Sequence, residues 1–205
     1  KRNFINEYIL NSNERITEIH KQAEKKISNA SKALFLDRDG VIIKDVGYIS
    51  KVKDVSLEKG IQKLLKYACE FKIPVFVITN QSGISRGFYT WKEFDAINNR
   101  MLDLIGKKSS IVAIFANGHL NNLENNWRKP NPGMINAASK KYNINIKDSF
   151  LIGDRLSDMV AGCRSGVKTL IHVKTGHGRD EYEKILNLCQ GDNFIFDAMK
   201  SKIIF

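Results

Sequence analysis

Two aspartates stand one residue apart where an apolar run ends, in the segment FLDRDGVII at residues 35–43. Side chains at positions i and i+2 of a strand point to the same side, so Asp37 and Asp39 can face one site. Gly40 lets the chain turn sharply directly afterwards. Two carboxylates this close repel each other unless a cation or a shared proton compensates, and Mg²⁺ suits that role because it prefers oxygen ligands. Taken alone, the motif fits a magnesium site or a strand-end turn with two solvated aspartates.

A second apolar run, in VFVITNQSGISRG at residues 75–87, also ends in polar side chains. The hydroxyl of Thr79 and the backbone amides that follow it can form a cradle for a phosphate group. Arg86 comes next, in a segment that we expect to be a flexible loop. The alternative interpretation is a polar loop that merely follows a buried strand.

A pair of basic residues precedes two prolines in RKPNPGM at residues 128–134. The prolines stiffen the approach to a predicted helix. A lysine that is held in place can neutralise charge on a phosphoryl group, which makes Lys129 a candidate for that contact. A basic surface pair ahead of a helix is the alternative.

Two further aspartates lie four residues apart in FLIGDRLSDM at residues 150–159. The predicted strand stops at Gly153, which places Asp154 at its tip, where a carboxylate can ligate a metal ion. Asp158 falls one helical turn later and can support the ligand shell of that ion. A helix N-cap followed by a solvated acid would give the same pattern.

Strand and helix patterns alternate from Ala33 onwards, which predicts an α/β fold with a doubly wound parallel sheet. Ligands bind such sheets beyond the carboxyl ends of the strands, so we expect the four motifs to meet at one edge of the sheet. The predicted strands are Ala33–Leu36, Val75–Ile78, Ile111–Phe115, Phe150–Ile152, Thr169–Val173 and a short Phe194–Phe196, and the predicted helices are Ile61–Phe71, Trp91–Ile105, Gly133–Tyr142, Ser157–Ser165 and Asp180–Cys189.

The composition limits the classes of protein to which the chain can belong. Hydrophobic residues make up 42% of the chain, no apolar run approaches the roughly 20 residues of a membrane span, and no signal peptide is recognisable. We therefore expect a globular protein without a membrane association. Three scattered cysteines without a C-x-x-C pair argue against disulfides and a thiolate zinc site, and predict a cytoplasmic location. The net charge of +11 is spread along the chain, which fits a solvated surface or one that helps to collect phosphorylated substrates.

The order and spacing of the four motifs resemble those of the haloacid-dehalogenase-like (HAD) phosphatases. Within that class, L-D-R-D-G, D-V-G-Y at residues 45–48, T-N-Q-S-G followed by S-R-G, and R-K-P-x-P-G-M are similar to the heptose bisphosphate and histidinol phosphatase branch. The resemblance covers roughly residues 33–178. It implies a Mg²⁺-dependent phosphatase of heptose and surface-polysaccharide biosynthesis. Such an enzyme would remove the 7-phosphate of D-glycero-D-manno-heptose 1,7-bisphosphate through an aspartyl-phosphate intermediate.

The resemblance also implies a role for each motif residue. Asp37 would be the nucleophile, and Asp39 would protonate the leaving oxygen and then activate water. Thr79 and Lys129 would steady the phosphoryl group. The Mg²⁺ ligands would be Asp37, the backbone carbonyl of Asp39 and Asp154, with Asp158 supporting them. The substrate contacts would be Asp45, Val46, Gly47, Tyr48, Asn80, Gln81, Ser82, Arg86, Arg128 and Arg155, the last of which stands where the family often has lysine.

One loop departs from the family pattern. The family places Cys-x-His and Cys-x-Cys just before R-K-P as ligands for a zinc ion, and of these only His119 remains. One imidazole cannot form a closed tetrahedral site, so we expect no zinc and a loop held by packing through Trp127, Leu120 and Leu123. The change borders the predicted active site and therefore bears on the substrate. The residues at the four ligand positions and between them are Asn117, Gly118, His119, Asn125, Asn126 and Trp127.

No large cap domain fits the chain, because about 40 residues separate Asp39 from Thr79 and about 50 separate Thr79 from Lys129. Helices, a strand and a flap already use those intervals. We predict an open site in a phosphatase domain over residues 31–205. Apolar residues at helical spacing predict a helical extension over residues 1–30.

Three alternatives stay open. The substrate can be histidinol phosphate or another phosphorylated sugar. Phosphatases of nucleic-acid 3′ ends share D-x-D-G, T-N-Q-x-G and R-K-P, and the charge of +11 suits DNA; the forms L-D-R-D-G and D-x-G-Y weigh against such a partner. A non-catalytic binding protein could keep the fold, but the intact Asp37, Asp39 and Lys129 argue against that.

Overall fold

Residues 31–106, 109–120, 127–190 and 203–204 are described by the computed structural model. The strands are β1 (Leu34–Leu36), β2 (Val75–Asn80), β3 (Ile111–Asn117), β4 (Phe150–Gly153), β5 (Thr169–His172) and β6 (Ile203–Ile204). The helices are α1 (Ile61–Glu70), α2 (Ser82–Ser85), α3 (Trp91–Ile105), α4 (Gly133–Tyr142), α5 (Leu156–Ser165) and α6 (Gly178–Gln190), with 3-10 turns at Val52–Asp54 and Ile146–Asp148. The strands form one sheet in the order β3-β2-β1-β4-β5-β6, and every neighbouring pair is parallel.

Strand β1 lies inside the sheet, between β2 and β4. Phe35 is in register with Phe76 on one side and with Leu151 on the other. Phe35 packs into the core on one face of the sheet and Leu36 into the core on the other. Burial on both faces explains why the strand is an unbroken apolar run rather than an alternating one.

Helices cover both faces of the sheet, which confirms the predicted doubly wound fold. On one face, α1 and α3 supply Leu65, Phe94 and Met101 to the core. On the other face, α4 and α5 supply Met134 and Met159. The two layers leave the carboxyl ends of the central strands open, and these ends carry the motif residues.

Several element boundaries differ from the predicted ones. β2 and β3 each run two residues further, to Asn80 and Asn117, because the backbones of these polar ends still pair as strands. Thr79 therefore belongs to β2 instead of following it. A short helix, α2, ends directly before Arg86, in the segment that was expected to be a flexible loop. Strand β6 was not predicted, whereas the predicted strand Phe194–Phe196 lies outside the described residues.

The part of the chain that the structure describes contains no cap domain. Between β1 and β2 it has a flap, residues 44–60, followed by α1, and between β2 and β3 it has α2 and α3. The predicted helical extension over residues 1–30 lies outside the described residues. None of the described helices is both long enough and apolar enough to span a membrane.

Candidate active site

The carboxyl ends of β1, β2 and β4 meet at a cavity of about 600 Å³. Asp37 follows β1 and donates its N–H to the Ile152 carbonyl of β4 at 3.0 Å. Thr79 lies near the end of β2, and Lys129 enters from the segment that precedes α4. Asp154 follows β4 and is fully buried beside them. The four motifs come together at one edge of the sheet.

Lys129 is the central cation of the site. Its Nζ lies 2.9 Å from Asp37 Oδ1 and 2.6 Å from Asp158 Oδ1, and it donates to the Ile78 carbonyl at 2.9 Å. Burial alone would lower the pKa of Lys129, but the charges of Asp158 and Asp37 outweigh it and leave that pKa above its ordinary value. Lys129 therefore stays charged and fixed in place, as a contact to a phosphoryl group requires.

Three buried carboxylates face one another beside this lysine. One oxygen each of Asp37, Asp154 and Asp158 lies within 4.8 Å of the other two. Burial raises the pKa of Asp37 well above its ordinary value against the charge of Lys129, and the other acids add to the rise. Burial and the charge of Asp158 raise the pKa of Asp154 to about 7. Carboxyl groups this close together stay ionised only if a cation lies nearby.

A divalent cation fits these acids. Oδ1 of Asp154 is buried and has no hydrogen-bond partner among the described residues, so its lone pairs are available to a metal. Carboxylate oxygens are the ligands that Mg²⁺ prefers. Asp158 is placed differently, because Oδ1 pairs with Lys129 and Oδ2 accepts from the Arg155 N–H at 3.0 Å. Asp158 therefore anchors Lys129 and the start of α5, whereas Asp154 is free to ligate.

Two glycines allow the chain to approach Asp154 closely. A Cβ at Gly40 or Gly176 would collide with Asp154 Oδ2, and both glycines have positive φ angles, +83° and +52°. The N–H of His177 donates to that oxygen at 2.8 Å, and Nε2 of His172 lies 3.1 Å from the Asp154 carbonyl. These contacts fix one oxygen and the backbone of Asp154 and leave Oδ1 for a metal.

Most of the predicted substrate contacts line the cavity, but some of them are engaged with the protein itself. Asn80 clamps the backbone of Lys129, donating to its carbonyl at 2.9 Å and accepting from its N–H at 3.1 Å. Gln81 is 3% exposed and donates to the Asp39 carboxylate at 2.8 Å. Val46 is 64% exposed and is not part of the cavity lining. The predicted contacts that do line the cavity are Asp45, Gly47, Tyr48, Asn80, Gln81, Ser82, Arg86, Arg128 and Arg155.

Three of the predicted substrate contacts that line the cavity are arginines, namely Arg86, Arg128 and Arg155. Burial lowers the pKa of Arg128, and the charges of Arg86 and Arg155 lower it further. A bound anion would relieve this repulsion, and guanidinium groups bind phosphate through parallel hydrogen bonds. The site therefore has cations for an anionic group in addition to the cation of Lys129.

The flap over residues 44–60 is tied across the cavity through Asp45. Its Oδ2 lies 3.1 Å from His177 Nε2 and 3.6 Å from Arg155 Nη2. Arg155 directly precedes α5, and His177 directly precedes α6. The contact brings the flap against the same sheet edge that carries Asp154.

Several residues that the sequence analysis did not assign to the site also line the cavity. Arg38 stands between the two motif aspartates, so its position in L-D-R-D-G was a usable signal. Tyr89 donates to Gln81 Oε1 at 2.5 Å, and no spacing pattern in the sequence indicates this contact. The full set of unassigned lining residues is Arg38, Ile49, Tyr89, Pro130, Ser157 and His177.

The loop that departs from the family pattern is held by side chains at both of its ends. Asn117, buried at the end of β3, donates from Nδ2 to the His119 carbonyl at 3.0 Å, and Arg128 donates to the same carbonyl at 3.3 Å. The Trp127 ring packs against Phe115 with 6.2 Å between centroids. Of the other residues expected to hold this loop by packing, Leu120 is 42% exposed and Leu123 lies outside the described residues, as do Asn125 and Asn126.

Structural zinc is expected to be absent from this protein. Among the described residues, the three-acid group Asp37, Asp154 and Asp158 is the one that can share a metal ion, and His119 is not part of it. Elemental analysis of protein purified without metal affinity should find less than about 0.1 zinc per chain, because a closed zinc site needs four ligands. One zinc per chain would contradict this expectation and would require ligands beyond the described residues.

Comparisons with known proteins agree with this geometry. A family model described as HAD-hydrolase-like matches residues 126–197. The chain is 42% identical over 142 residues to a D-glycero-beta-D-manno-heptose-1,7-bisphosphate 7-phosphatase of Helicobacter pylori, which covers 68% of this chain and 82% of that relative. It is 40% identical over 161 residues to a D-glycero-alpha-D-manno-heptose-1,7-bisphosphate 7-phosphatase of Photorhabdus laumondii, which covers 75% and 88%.

Solved structures give the same result for the fold. A HAD-like phosphatase from Mesorhizobium loti superimposes with a TM-score of 0.65 at 30% identity, covering 84% of this chain and 87% of that one. A D,D-heptose 1,7-bisphosphate phosphatase from B. bronchiseptica, complexed with magnesium and phosphate, superimposes with a TM-score of 0.70 at 24% identity, covering 84% and 92%. At that identity the second likeness concerns the fold alone.

The parallel sheet, the acid cluster at its edge and the buried lysine define a phosphatase of the HAD class, which confirms the class that the motifs predicted. Relatives at 40% and 42% identity, most of whose length the chain covers, narrow the assignment. The chain belongs to the family of the heptose-1,7-bisphosphate 7-phosphatases.

Proposed function

We propose that this chain is a Mg²⁺-dependent phosphatase that removes the 7-phosphate of D-glycero-D-manno-heptose 1,7-bisphosphate through an aspartyl phosphate on Asp37. The observation that carries the proposal is the buried pair of Asp37 and Lys129, 2.9 Å apart, at the cavity. A carboxylate beside a fixed cation is placed to attack a phosphoryl group whose charge that cation neutralises. The relatives supply the identity of the sugar, and the scattered cysteines support a reaction in the cytoplasm.

The reaction would proceed in two steps. In the first, an oxygen of Asp37 bonds to phosphorus, the bond from phosphorus to the sugar oxygen breaks, and Asp39 gives its proton to that oxygen. In the second, Asp39 takes a proton from water, the water oxygen bonds to phosphorus, and the bond to Asp37 breaks. The second step releases inorganic phosphate and restores both carboxyl groups.

The remaining motif residues would hold and neutralise the phosphoryl group. Asp37, Asp154 and the carbonyl of Asp39 would hold Mg²⁺, which would neutralise negative charge on the phosphoryl oxygens. Lys129 adds a second cation, which Asp158 keeps in place at 2.6 Å. The Thr79 hydroxyl supplies a hydrogen bond at the end of β2.

The cations around the cavity support a substrate with two phosphates. Arg86, Arg128 and Arg155 line the cavity, and a second phosphate beside them would relieve the repulsion among their charges. Because the described chain has no cap, contacts away from the reacting phosphate must orient the substrate. A phosphate at the other end of the sugar provides such a contact.

The substrate preference can be measured directly. At one fixed Mg²⁺ concentration, we expect kcat/KM for a heptose 1,7-bisphosphate to exceed that for histidinol phosphate or a 3′-phosphorylated oligonucleotide by at least about tenfold, because polar contacts to the correct substrate discriminate strongly. Both anomers are assayed, since the relatives include enzymes named for each. If kcat/KM for histidinol phosphate or the oligonucleotide is tenfold higher than for both anomers, the proposed substrate is wrong. The assignment as a phosphatase would still hold.

A variant tests the second phosphate within the same assay. Arg128→Gln is expected to lower kcat/KM for the bisphosphate about tenfold more than for heptose 7-phosphate, because only the bisphosphate loses a charge-assisted contact. Arg100→Gln, an exposed arginine on α3, is the matched control and should leave both values unchanged. Equal losses with the two substrates would show that Arg128 does not contact the second phosphate.

A further inference from the structure

A buried arginine stands between the two motif aspartates. Arg38 is only 2% exposed, and a guanidinium stays protonated in proteins, so its N–H groups need buried hydrogen-bond partners. It donates from Nε to Asp39 Oδ1 at 3.2 Å, and from Nη2 to both Asp39 oxygens at 3.0 Å. The main partner of this cation is therefore the carboxyl group of Asp39.

The other side of the guanidinium is held from helix α3. Its Nη1 donates to Asn98 Oδ1 at 3.1 Å, and Asn98 is fully buried. The Phe94 ring lies 4.9 Å from the guanidinium carbon, which adds a cation–π contact. Both residues belong to α3, which carries none of the four motifs. A helix outside the motifs thus sets the position and the plane of Arg38.

Gln81 completes the set of contacts around Asp39. Its Nε2 donates to Asp39 Oδ2 at 2.8 Å and to Thr79 Oγ1 at 2.7 Å. Its Oε1 accepts from Arg38 Nη2 at 3.0 Å and from the Tyr89 hydroxyl at 2.5 Å. Arg38 and Gln81 therefore donate hydrogen bonds to both oxygens of Asp39, and these two side chains are also hydrogen-bonded to each other.

We propose that Arg38, fixed by Asn98 and Phe94, is a positioning residue that orients the Asp39 carboxyl group for proton exchange with the leaving oxygen and with water. The inference rests on the role proposed for Asp39. A proton donor works only within hydrogen-bond reach of the atom that receives the proton, so its orientation enters the rate directly. Asp39 is 20% exposed at its side chain, and without Arg38 it could turn to solvent.

The leaving group distinguishes this role from a structural one. A sugar oxygen needs a proton as it leaves, whereas p-nitrophenolate leaves readily without one. kcat/KM reports the steps up to phosphorylation of Asp37, so the later hydrolysis does not affect the comparison. Arg38→Met is expected to lower kcat/KM for the sugar phosphate about 100-fold or more, which is the range of general acid catalysis, and that for p-nitrophenyl phosphate less than about tenfold. Equal losses with both substrates in a folded variant would overturn the proposal.

Further variants cover the outcome in which Arg38→Met does not fold. Arg38→Lys keeps the charge without the two-pronged contact and should restore part of the sugar phosphate activity. Tyr89→Phe removes only the hydroxyl that donates to Gln81, and should cost about threefold with the sugar phosphate and nothing with p-nitrophenyl phosphate. Arg100→Lys on the exposed face of α3 is the control. A Tyr89→Phe loss that is the same with both substrates would also count against the proposal.

The result does not depend on the particular sugar. If the wild-type protein prefers a different alkyl phosphate to heptose 1,7-bisphosphate, the comparison is made with that alkyl phosphate. The substrate proposal would then have failed, while the ratio between alkyl and aryl phosphate losses would still decide the role of Arg38.

Discussion

Replacing Asp37 by asparagine is expected to stop turnover while the protein stays folded. Asparagine has nearly the shape of aspartate, but its amide is a poor nucleophile and brings no negative charge to a metal ion. We expect kcat/KM to fall by more than about 10³-fold, as for other enzymes that lose their nucleophile. The measurement is phosphate release by the purified variant in the presence of Mg²⁺.

The fold should survive this change for an electrostatic reason. Burial and the charges of Asp158 and Asp154 raise the pKa of Asp37, so removing its charge relieves repulsion, while Lys129 keeps Asp158 at 2.6 Å. Circular dichroism and the urea midpoint should stay close to those of the wild type. Asp54→Asn, at an exposed 3-10 turn, is the matched control and should keep full activity. Mg²⁺-dependent phosphate release by the Asp37→Asn variant at the wild-type rate would show that Asp37 is not the nucleophile.

The meeting of the motifs could be predicted because each of them is a local signal. Asp37 and Asp154 each follow an apolar run of strand length, and parallel strands bring their carboxyl ends to one edge of the sheet. Lys129 precedes a predicted helix with prolines that restrict its backbone. No knowledge of how helices pack is needed to reach that result, since strand order in such folds follows a few rules.

The contacts of the site could not be predicted in the same way. Asn98 lies 60 residues from Arg38, and their hydrogen bond depends on how α3 packs on the sheet, which spacing along the chain does not encode. Asn80 was predicted to contact substrate, yet its amide clamps the backbone of Lys129, 49 residues away. In both cases, a polar side chain near the site positions another residue of the site. The residue type alone does not distinguish such a positioning role from direct binding of substrate.

Replacing Lys129 by methionine is expected to lower both activity and stability. Activity should fall by about 10²–10³-fold or more, because the phosphoryl group loses a preorganised cation. The free energy of unfolding should fall by about 3–5 kcal/mol, since removal of one partner leaves uncompensated charge in a buried cluster. Urea denaturation in EDTA measures the second effect without compensation from added metal.

Two further variants separate the loss of the ion pair from the loss of a lysine. Lys66→Met removes a surface partner of Glu70, which lies 3.7 Å away with both side chains exposed, and should change stability by less than about 0.5 kcal/mol. Adding Asp158→Asn to Lys129→Met removes one of the stranded charges, so the double variant should regain part of the stability and none of the activity. Asparagine can still accept from the Arg155 N–H, which preserves the start of α5. A Lys129→Met protein as stable as the wild type, or a double variant less stable than the single one, would mean that the buried acids do not need this cation.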